Sequence, residues 1–596
     1  MKIKNHLLAG LTLLSPLALQ SCFDNDYDLS DIDTTVRLNT TDLVVPLNLD
    51  VITLGQVLEI EEDDAIQTYV DPVTGQEIYA IKKGGTFNAD EISVAEFTVS
   101  KPKINPTSSK LDLITTDLPL GVTGCYPIIS ANAASFDSKA TDVDKSIYEI
   151  KRVDVDTKFT TVLRLKDKNN NVLAENILKN LTFQGIKLQF PKEIVGNYKD
   201  KSIDANGILD LSDETLSPNT QGELSLEINV TAIDLTRGDG KIALNDKHEL
   251  IFAGDINVIE GDAYIKNVLA NELPSTVNFD LEPQIQAIEV TNFTGKLEYK
   301  VEDFNVEPID LSDLPDFLNQ QGTNISLKNP QIYLAVTNPL DEYGVYFQSG
   351  FELTTMRGKD SQTYTLDGGT FKTQDLTDGE HLFVFAPQNP KDVQGYYYEG
   401  YEKADFYKFS GLKNMLTVYD KDGNILGMPT KINVNAVDPI MPAQDVEDFQ
   451  LGVTLKKVTG RYDFFAPLQL DESYITYTDT IDGWNDEDVD GLTLEKVTVS
   501  FDATTTVPYN VELYIIPITL DAKEIPGVTY SKATLTPNAQ DEHVELSITG
   551  KIEHLDGIKI KAIVEAGDDA DIMAPDMELH VKNSKLTVTG HYDKEL

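Results

Sequence analysis

The sequence predicts an all-β protein that is built from several consecutive β-sandwich domains. Apolar and polar residues alternate in almost every readable segment, as in residues 224–230 and 496–501. A period of two is typical of strands with one buried face. Turn residues such as Asp239-Gly240 and Asp422-Gly423 separate these segments, and such residues favour tight hairpins. No long stretch has an apolar period near 3.6, so few helices are expected.

The composition permits large cores and argues against several classes of protein. Of 596 residues, 41% are hydrophobic and 25% are charged, which is typical of a globular chain of several domains. The 98 acidic and 49 basic residues give a formal net charge of −49. This charge argues strongly against a nucleic-acid binder, which needs a basic face for phosphates. Two cysteines are too few for a disulfide scaffold.

The first 21 residues have the parts of a signal peptide. Two lysines precede an apolar stretch at residues 7–19, which is too short to span a membrane. Residues 19–22 read Leu-Gln-Ser-Cys and resemble the lipobox of bacterial lipoproteins. The resemblance implies that residues 1–21 are removed and that Cys22 is acylated.

An acidic segment follows the cysteine. Residues 23–28 read Phe-Asp-Asn-Asp-Tyr-Asp and resemble the surface-export signal of lipoproteins in the Bacteroidetes. The resemblance implies a lipid-anchored outer-membrane protein that is exposed at the cell surface. In other Gram-negative bacteria, an Asp at the position of Asp24 marks retention at the inner membrane instead. We predict that residues 22–40 form an acidic tether, whose charge also holds the domains off the membrane.

Turn residues and prolines in the rest of the sequence predict four β units. They are residues 41–190, 191–284, 285–440 and 445–596. Phe293-Thr294-Gly295 and Val458-Thr459-Gly460 stand at similar distances before two similar strand patterns, at residues 327–334 and 494–501, which favours duplication of the last two units. The alternative is that any two β-sandwich segments look alike at this level. Prolines in residues 437–443 predict a linker between these two units.

One segment indicates the type of sandwich. Residues 327–339, which contain two Asn-Pro steps, resemble the Ig-like modules of the late-embryogenesis-abundant type. The resemblance implies Ig-like β-sandwich topology for the units after the tether, and it implies no activity.

The densest aromatic patch is the candidate ligand-binding site. It comprises Tyr396, Tyr397, Tyr398 and Tyr401, and exposed tyrosines stack on sugars or anchor protein interfaces. Successive side chains of a strand point to opposite faces, so at least one of three consecutive tyrosines is expected at the surface. The alternative is that these tyrosines pack in a core. Trp484, the lone tryptophan, stands beside an acidic loop and is a further candidate contact.

That acidic loop is the candidate metal site. Asp486, Asp488 and Asp490 precede Gly491, as carboxylates do at the start of an EF-hand calcium loop. The twelfth position is Val497 where an EF-hand has Glu. A different kind of calcium loop therefore remains a hypothesis, and a solvated acidic turn is the alternative. We predict no other cofactor.

The sequence contains no motif for catalysis that we recognise. It has no His-Glu-x-x-His helix, no Gly-x-Ser-x-Gly elbow and no P-loop. Cys125 has no neighbouring histidine and is expected to be a buried, inert thiol. The leading prediction is a non-enzymatic surface lipoprotein that binds a glycan or an outer-membrane protein. The alternatives are a polysaccharide hydrolase with an Asp/Glu pair and a structural accessory subunit of an outer-membrane complex.

Overall fold

The all-β prediction is confirmed by a computed structural model, in which 61% of the residues are strand and 4% are helix. The structure describes residues 35–46, 51–54, 65–72, 74–113, 118–129, 132–238, 240–302, 305–314, 318, 323–373, 380–393, 398–483, 492–567 and 571–595.

The strands are numbered along the chain. The first ten are β1 (Thr35–Pro46), β2 (Ile52–Thr53), β3 (Ile66–Val70), β4 (Glu77–Ser93), β5 (Phe97–Val99), β6 (Lys103–Asn105), β7 (Thr107–Asp112), β8 (Leu118–Pro127), β9 (Ala134–Ala140) and β10 (Ile147–Asp167). The next ten are β11 (Leu181–Gln189), β12 (Ile194–Tyr198), β13 (Lys201–Ser202), β14 (Ile208–Leu211), β15 (Glu223–Asp234), β16 (Ala243–Leu244), β17 (Leu250–Val268), β18 (Thr276–Ile285), β19 (Ile288–Val290) and β20 (Asn292–Lys300). The third ten are β21 (Asn305–Val306), β22 (Ile309–Asp310), β23 (Gln331–Thr337), β24 (Gln348–Arg357), β25 (Asp360–Thr365), β26 (Phe371–Lys372), β27 (His381–Ala386), β28 (Asp405–Lys408), β29 (Val418–Tyr419) and β30 (Ile425–Gly427). The last ten are β31 (Lys431–Gln450), β32 (Thr454–Pro467), β33 (Tyr474–Ile481), β34 (Leu492–Thr505), β35 (Asn510–Ile518), β36 (Thr529–Tyr530), β37 (Lys532–Leu535), β38 (Glu542–Ile552), β39 (Gly557–Glu565) and β40 (Glu578–Glu595). The described helices are short: α1 (Glu175–Lys179) and 3-10 turns at Leu235–Arg237, Asp341–Tyr343 and Ser410–Asn414.

The same strand pairing recurs in three units. In the C-terminal unit, one sheet runs β1-β40-β34-β38 and the other runs β33-β39-β35-β37. The corresponding sheets of the middle unit are β4-β32-β23-β27 and β20-β31-β24-β25. In the N-terminal unit they are β9-β17-β11-β14 and β10-β15-β12-β13. Equivalent strands also follow one another in the same order along the chain, so each unit is an antiparallel sandwich of one topology.

Contacts between aromatic rings show that the two sheets of a unit face each other. In the middle unit, the rings of Phe351 on β24 and Phe385 on β27 stack with centroids 4.8 Å apart. In the N-terminal unit, Phe159 on β10 meets Phe252 on β17 at 6.1 Å. The N-terminal and middle units share one continuous core because β10 also pairs with β20. Most of the C-terminal unit packs around a core of its own.

The three units are nested along the chain. Strands β1, β4 and β9 are supplied in that order, and they pair with β40, β32 and β17 respectively. The chain therefore first supplies one strand to the C-terminal unit and then one strand to the middle unit. It next forms the N-terminal unit, and afterwards it completes the middle unit and finally the C-terminal unit. As a consequence, Thr35 is paired with Glu595, and both ends of the described chain lie at the C-terminal unit.

This nesting divides the chain differently from the sequence prediction. Strands β11 and β12 flank the predicted boundary at residue 190, yet they belong to the two sheets of one sandwich. Strand β32 falls within predicted unit 445–596 but belongs to the middle unit. The predicted linker at residues 437–443 lies inside the 20-residue strand β31, where Ile440 is paired with both Lys300 and Gln348. The reason is that local alternation identifies a strand and carries no information on its distant partner.

Glycines allow close approach of neighbouring backbones in these strands. A Cβ atom at Gly460 of β32 would lie 2.0 Å from the carbonyl oxygen of Ala335. At Gly590 of β40 it would lie 2.5 Å from the carbonyl oxygen of Thr493. Both glycines follow a threonine and lie next to a shift of strand register. The repeated Thr-Gly pair therefore belongs to a β-bulge, where an absent side chain is required.

Candidate functional site

A long insertion distinguishes the middle unit from the other two. Residues 387–430 connect β27 to β31, whereas the equivalent connections are residues 212–222 in the N-terminal unit and 553–556 in the C-terminal unit. Described parts of the insertion include β28, which pairs in parallel with β27, and the hairpin of β29 and β30. Loops held by a rigid scaffold are common positions for binding sites.

The predicted tyrosines begin this insertion, and two of them belong to an aromatic cluster. The aromatic cluster consists of Tyr69, Tyr333, Tyr398, Tyr401 and Phe465 on one face of the middle unit. Tyr401 is only 3% exposed, and its ring centroid lies 4.9 Å from that of Tyr333. Tyr398 is half-buried, with its ring 5.6 Å from Phe465 and stacked at 6.3 Å on Tyr69.

Hydrogen bonds fix the tyrosines of the cluster. The hydroxyl of Tyr333 donates to Oε1 of Gln331 at 2.6 Å and accepts from the backbone N–H of Tyr398 at 3.0 Å. The hydroxyl of Tyr401 donates to Oδ2 of Asp463 at 2.9 Å. Burial, together with the charge of Asp463, raises the pKa of Tyr401 far above its usual range. Tyr401 is therefore a protonated hydrogen-bond donor of the protein interior.

The burial of each tyrosine determines whether its side chain can contact a ligand. Tyr401 presents almost no surface, so the alternative of core packing describes it, and its predicted direct contact with a ligand needs correction. Strand alternation did not apply to it because Tyr401 lies in a loop outside the strands. Tyr398 keeps a partly exposed edge. The other predicted site residues lie outside the described residues: Cys22, Tyr396, Tyr397, Trp484, Asp486, Asp488 and Asp490.

An opening near the insertion is a polar groove of about 500 Å³. It lies where the middle unit meets the start of the C-terminal unit, since the backbones of Asn324 and Tyr474 exchange hydrogen bonds of 2.7 and 2.8 Å there. We call it the polar groove, and it is lined by Asn324, Ser326, Gln362, Thr363, Tyr364, Asn414, Tyr419 and Glu472.

Hydrogen bonds order the side chains of the polar groove. The hydroxyl of Tyr364 lies 3.0 Å from the carbonyl oxygen of Asn414 and 3.1 Å from Oε1 of Gln362. Burial raises the pKa of Tyr364 to about 12, so its hydroxyl stays neutral. The hydroxyl of Tyr419 reaches Oδ1 of Asn324 at 3.4 Å. The result is a fixed set of aromatic, hydroxyl and amide groups, of the kind that binds polyhydroxylated ligands.

A second, smaller cavity lies beside the aromatic cluster. It measures about 190 Å³. We call it the amide cavity, and it is lined by Lys328, Asn329, Gln331, Gln388, Val393, Pro467, Gln469 and Ile572.

The described residues that line the two openings include no pair of carboxylates. Among them, Glu472 in the polar groove is the one acidic residue. Among the residues that the structure describes, no group of three or more His, Cys, Asp or Glu could hold a metal ion. None of the described helices has the length and apolar character needed to cross a lipid bilayer.

The expectation that Cys125 is buried is wrong. Cys125 is exposed, and its neighbour on β8, Tyr126, is buried at 3%. Because successive side chains of a strand alternate between faces, the buried Tyr126 directs Cys125 outwards. The thiol lies beside Tyr264, whose pKa it raises through a hydrogen bond.

Comparisons with known proteins identify no family. No protein-family model matches the chain, and no curated protein matches it. One similar solved structure is the crystal structure of a protein from Parabacteroides distasonis that is inferred to be secreted. It has 13% sequence identity and a TM-score of 0.34, and the match covers 50% of this chain and 89% of that chain. A likeness of this strength shows neither a shared family nor a shared function.

The sequence patterns did not point to the polar groove or the amide cavity. The groove takes residues from four separate segments, around positions 325, 363, 416 and 472. The one available signal was the pair of Asn-Pro steps in residues 327–339, because Asn329 lines the amide cavity. That signal was interpreted as a feature of sandwich topology.

Proposed function

We propose that the protein is a non-enzymatic, lipid-anchored protein of the cell envelope that binds a glycan in the polar groove. The observation that carries the proposal is this groove of about 500 Å³, to which the insertion of the middle unit contributes Asn414 and Tyr419. Tyr364 and Tyr419 supply aromatic groups, and Asn324, Gln362 and Asn414 supply amides. Sugars combine apolar ring faces with hydroxyl groups, so both kinds of protein group are needed to bind them.

The nested chain path supports a specific orientation of the anchored protein. An acylated Cys22 would precede β1, which is an edge strand of the C-terminal unit. The intervening residues 23–34 can span at most about 40 Å when fully extended. The C-terminal unit would then stand next to the membrane. This orientation suits a protein that displays a binding site at the cell surface.

We expect Tyr419→Ala to weaken binding of the recognised glycan about tenfold, since it removes a ring and a hydroxyl from the groove. A glycan array probed with the purified full chain identifies the ligand, and calorimetry then measures its dissociation constant. Tyr148→Ala is the control, because Tyr148 is 59% exposed and lies on β10 in another unit. Equal binding by wild type and Tyr419→Ala, or no binding on the array, would refute the proposed role of the groove.

The anchor is tested separately, by metabolic labelling with radioactive palmitate. We expect label in the wild-type chain and none in Cys22→Ala, because the acylated thiol is lost. Cys125→Ala is a matched control, since these are the two cysteines of the chain, and it should keep the label. Label that persists in Cys22→Ala would show that the lipid is attached elsewhere or that the chain is not a lipoprotein of this type.

A further inference from the structure

Glu472 is the one charged residue among the described residues that line the polar groove. The others are tyrosines, amides and residues with hydroxyl groups. Lys413, which precedes the lining residue Asn414, is already paired with Asp471 at 2.9 Å. Residues 319–322, which lie outside the described residues and lead to the wall at Asn324, contain no charged residue. The charge that this lining presents to a ligand is therefore negative.

The backbone of Glu472 forms a β-bulge in the wall of the groove. Asn324 is paired with Tyr474, and Leu327 is paired with Leu470, so one side of this pairing contains one residue more than the other. Glu472 lies within the longer side and has a φ of 46°, in the left-handed region that favours glycine. A longer side chain in such a backbone conformation is uncommon and is found preferentially at functional sites.

The carboxylate of Glu472 is open to a ligand. The next residue, Ser473, is 1% exposed and donates a hydrogen bond from its hydroxyl to the carbonyl of Ser326 at 2.7 Å. Glu472, in contrast, is exposed and lines the groove. In the described part of the chain, no residue makes a hydrogen bond or an ion pair with its carboxylate. The bulge thus turns an unpaired negative charge towards the groove.

The groups around this carboxylate suit an ammonium group. A carboxylate accepts strong hydrogen bonds from a cationic donor, and the faces of tyrosine rings attract cations. Tyr364 and Tyr419 supply such rings in the same groove. The net charge of −49 also attracts cationic ligands to the protein and repels anionic ones.

The size of the groove admits more than one sugar ring. A cavity of about 150 Å³ in another protein admits benzene, whereas the polar groove measures about 500 Å³. The amides of Asn324, Gln362 and Asn414 can serve the hydroxyl groups of the rings. A short glycan with a protonated amine matches the volume, the hydrogen-bonding groups and the charge together.

We propose that the polar groove binds a glycan that contains a hexosamine with a free amine, and that Glu472 accepts the hydrogen bonds of the ammonium group. This inference rests on the proposed glycan-binding function and names the class of glycan.

The test is calorimetric titration of the purified full chain with trisaccharides of D-glucosamine and of D-galactosamine. The N-acetylated form of each trisaccharide is its neutral counterpart. The buffer contains about 0.15 M salt, at which the Debye length is about 8 Å and distant charges of the protein are screened. We expect at least one amine form to bind about fivefold or more tightly than its acetylated form, because a hydrogen bond between charged groups is stronger than a neutral one.

Two variants of Glu472 test the role of the carboxylate independently of folding. Glu472→Gln keeps the size of the side chain, and Glu472→Gly suits the left-handed backbone while it removes the side chain. Both should lose the preference for the amine form, and both should keep a thermal unfolding midpoint close to that of the wild type. Asp422→Asn is the matched control, since Asp422 is an exposed acidic residue of the same insertion that does not line the groove. It should leave the preference unchanged.

The inference is overturned if neither amine form binds, if the amine and acetylated forms bind equally, or if the two variants of Glu472 keep the preference. The proposed function is judged separately, by the glycan array and Tyr419→Ala. A neutral glycan that binds the wild type and binds Tyr419→Ala more weakly would leave glycan binding in the groove in place and remove only the requirement for an amine.

Discussion

Gly460→Ala is expected to destabilise the protein by about 3 kcal/mol or more, although it adds a single methyl group. The new Cβ would lie 2.0 Å from the carbonyl oxygen of Ala335 and 2.3 Å from the ring of Phe87. The first contact is with backbone inside a paired sheet, so it cannot be relieved by a change of rotamer. Loss of a glycine also restricts the unfolded chain, but that gain is only about 0.4–1 kcal/mol, and overpacking therefore dominates.

Chemical denaturation measures this effect, with the shift of the unfolding midpoint as the readout. Gly368→Ala is the control, because no atom lies within 4 Å of a Cβ at that position and its φ is not in the left-handed region. It should change the free energy of unfolding by no more than about 0.5 kcal/mol. Gly590→Ala tests the equivalent position of the C-terminal unit and should also destabilise. Identical midpoints for Gly460→Ala and Gly368→Ala would contradict the close approach of the backbones.

The same glycines show what the sequence could and could not predict about the repeat. Sequence comparison matched Gly295 with Gly460, because each follows a threonine and an apolar residue. In the fold, Gly460 on β32 is equivalent to Gly590 on β40, whereas Gly295 lies on β20, whose counterpart is β33. The companion match of residues 327–334 with 494–501 did join equivalent strands, β23 and β34. A short motif of this kind indicates that a strand contains a bulge, and several strands of one unit can contain a bulge.

The positions of strands could be predicted from the sequence, whereas the pairing between strands could not. Residues 224–230 and 496–501 lie in β15 and β34 as their alternation indicated. The pairing of β4 with β32, by contrast, joins parts of the chain that are separated by most of its length. The alternation in each of these strands is the same whichever strand of suitable length it pairs with. The nested order of pairing therefore depends on the packing of the whole chain.

Prediction of the candidate site was limited in the same way, because a local pattern does not show which distant residues lie beside it. A run of tyrosines is visible in the sequence, but the environment of each ring depends on which distant strands lie beneath it. Tyr401 became a core residue because Tyr333 on β23 and Asp463 on β32 lie under its loop. Amides are four of the eight lining residues of the amide cavity and three of the eight of the polar groove, and amides are too common in loops to mark a site before the fold is known.

The aromatic cluster gives the second large effect. We expect Tyr333→Ala to cost about 3–5 kcal/mol, since Tyr333 is 1% exposed and its ring contacts those of Tyr398 and Tyr401. Tyr333→Phe keeps the ring and removes the hydroxyl. It should cost only about 1 kcal/mol, for the hydrogen bonds to Gln331 and to the backbone of Tyr398.

The two variants together separate ring packing from polar contacts, with the free energy of unfolding in chemical denaturation as the readout. Tyr530→Ala is the matched surface control, at a tyrosine that is 40% exposed in the C-terminal unit, and it should leave the free energy of unfolding close to that of the wild type. A loss of stability in Tyr333→Phe as large as in Tyr333→Ala would mean that the hydroxyl, and not ring packing, holds the insertion on the middle unit.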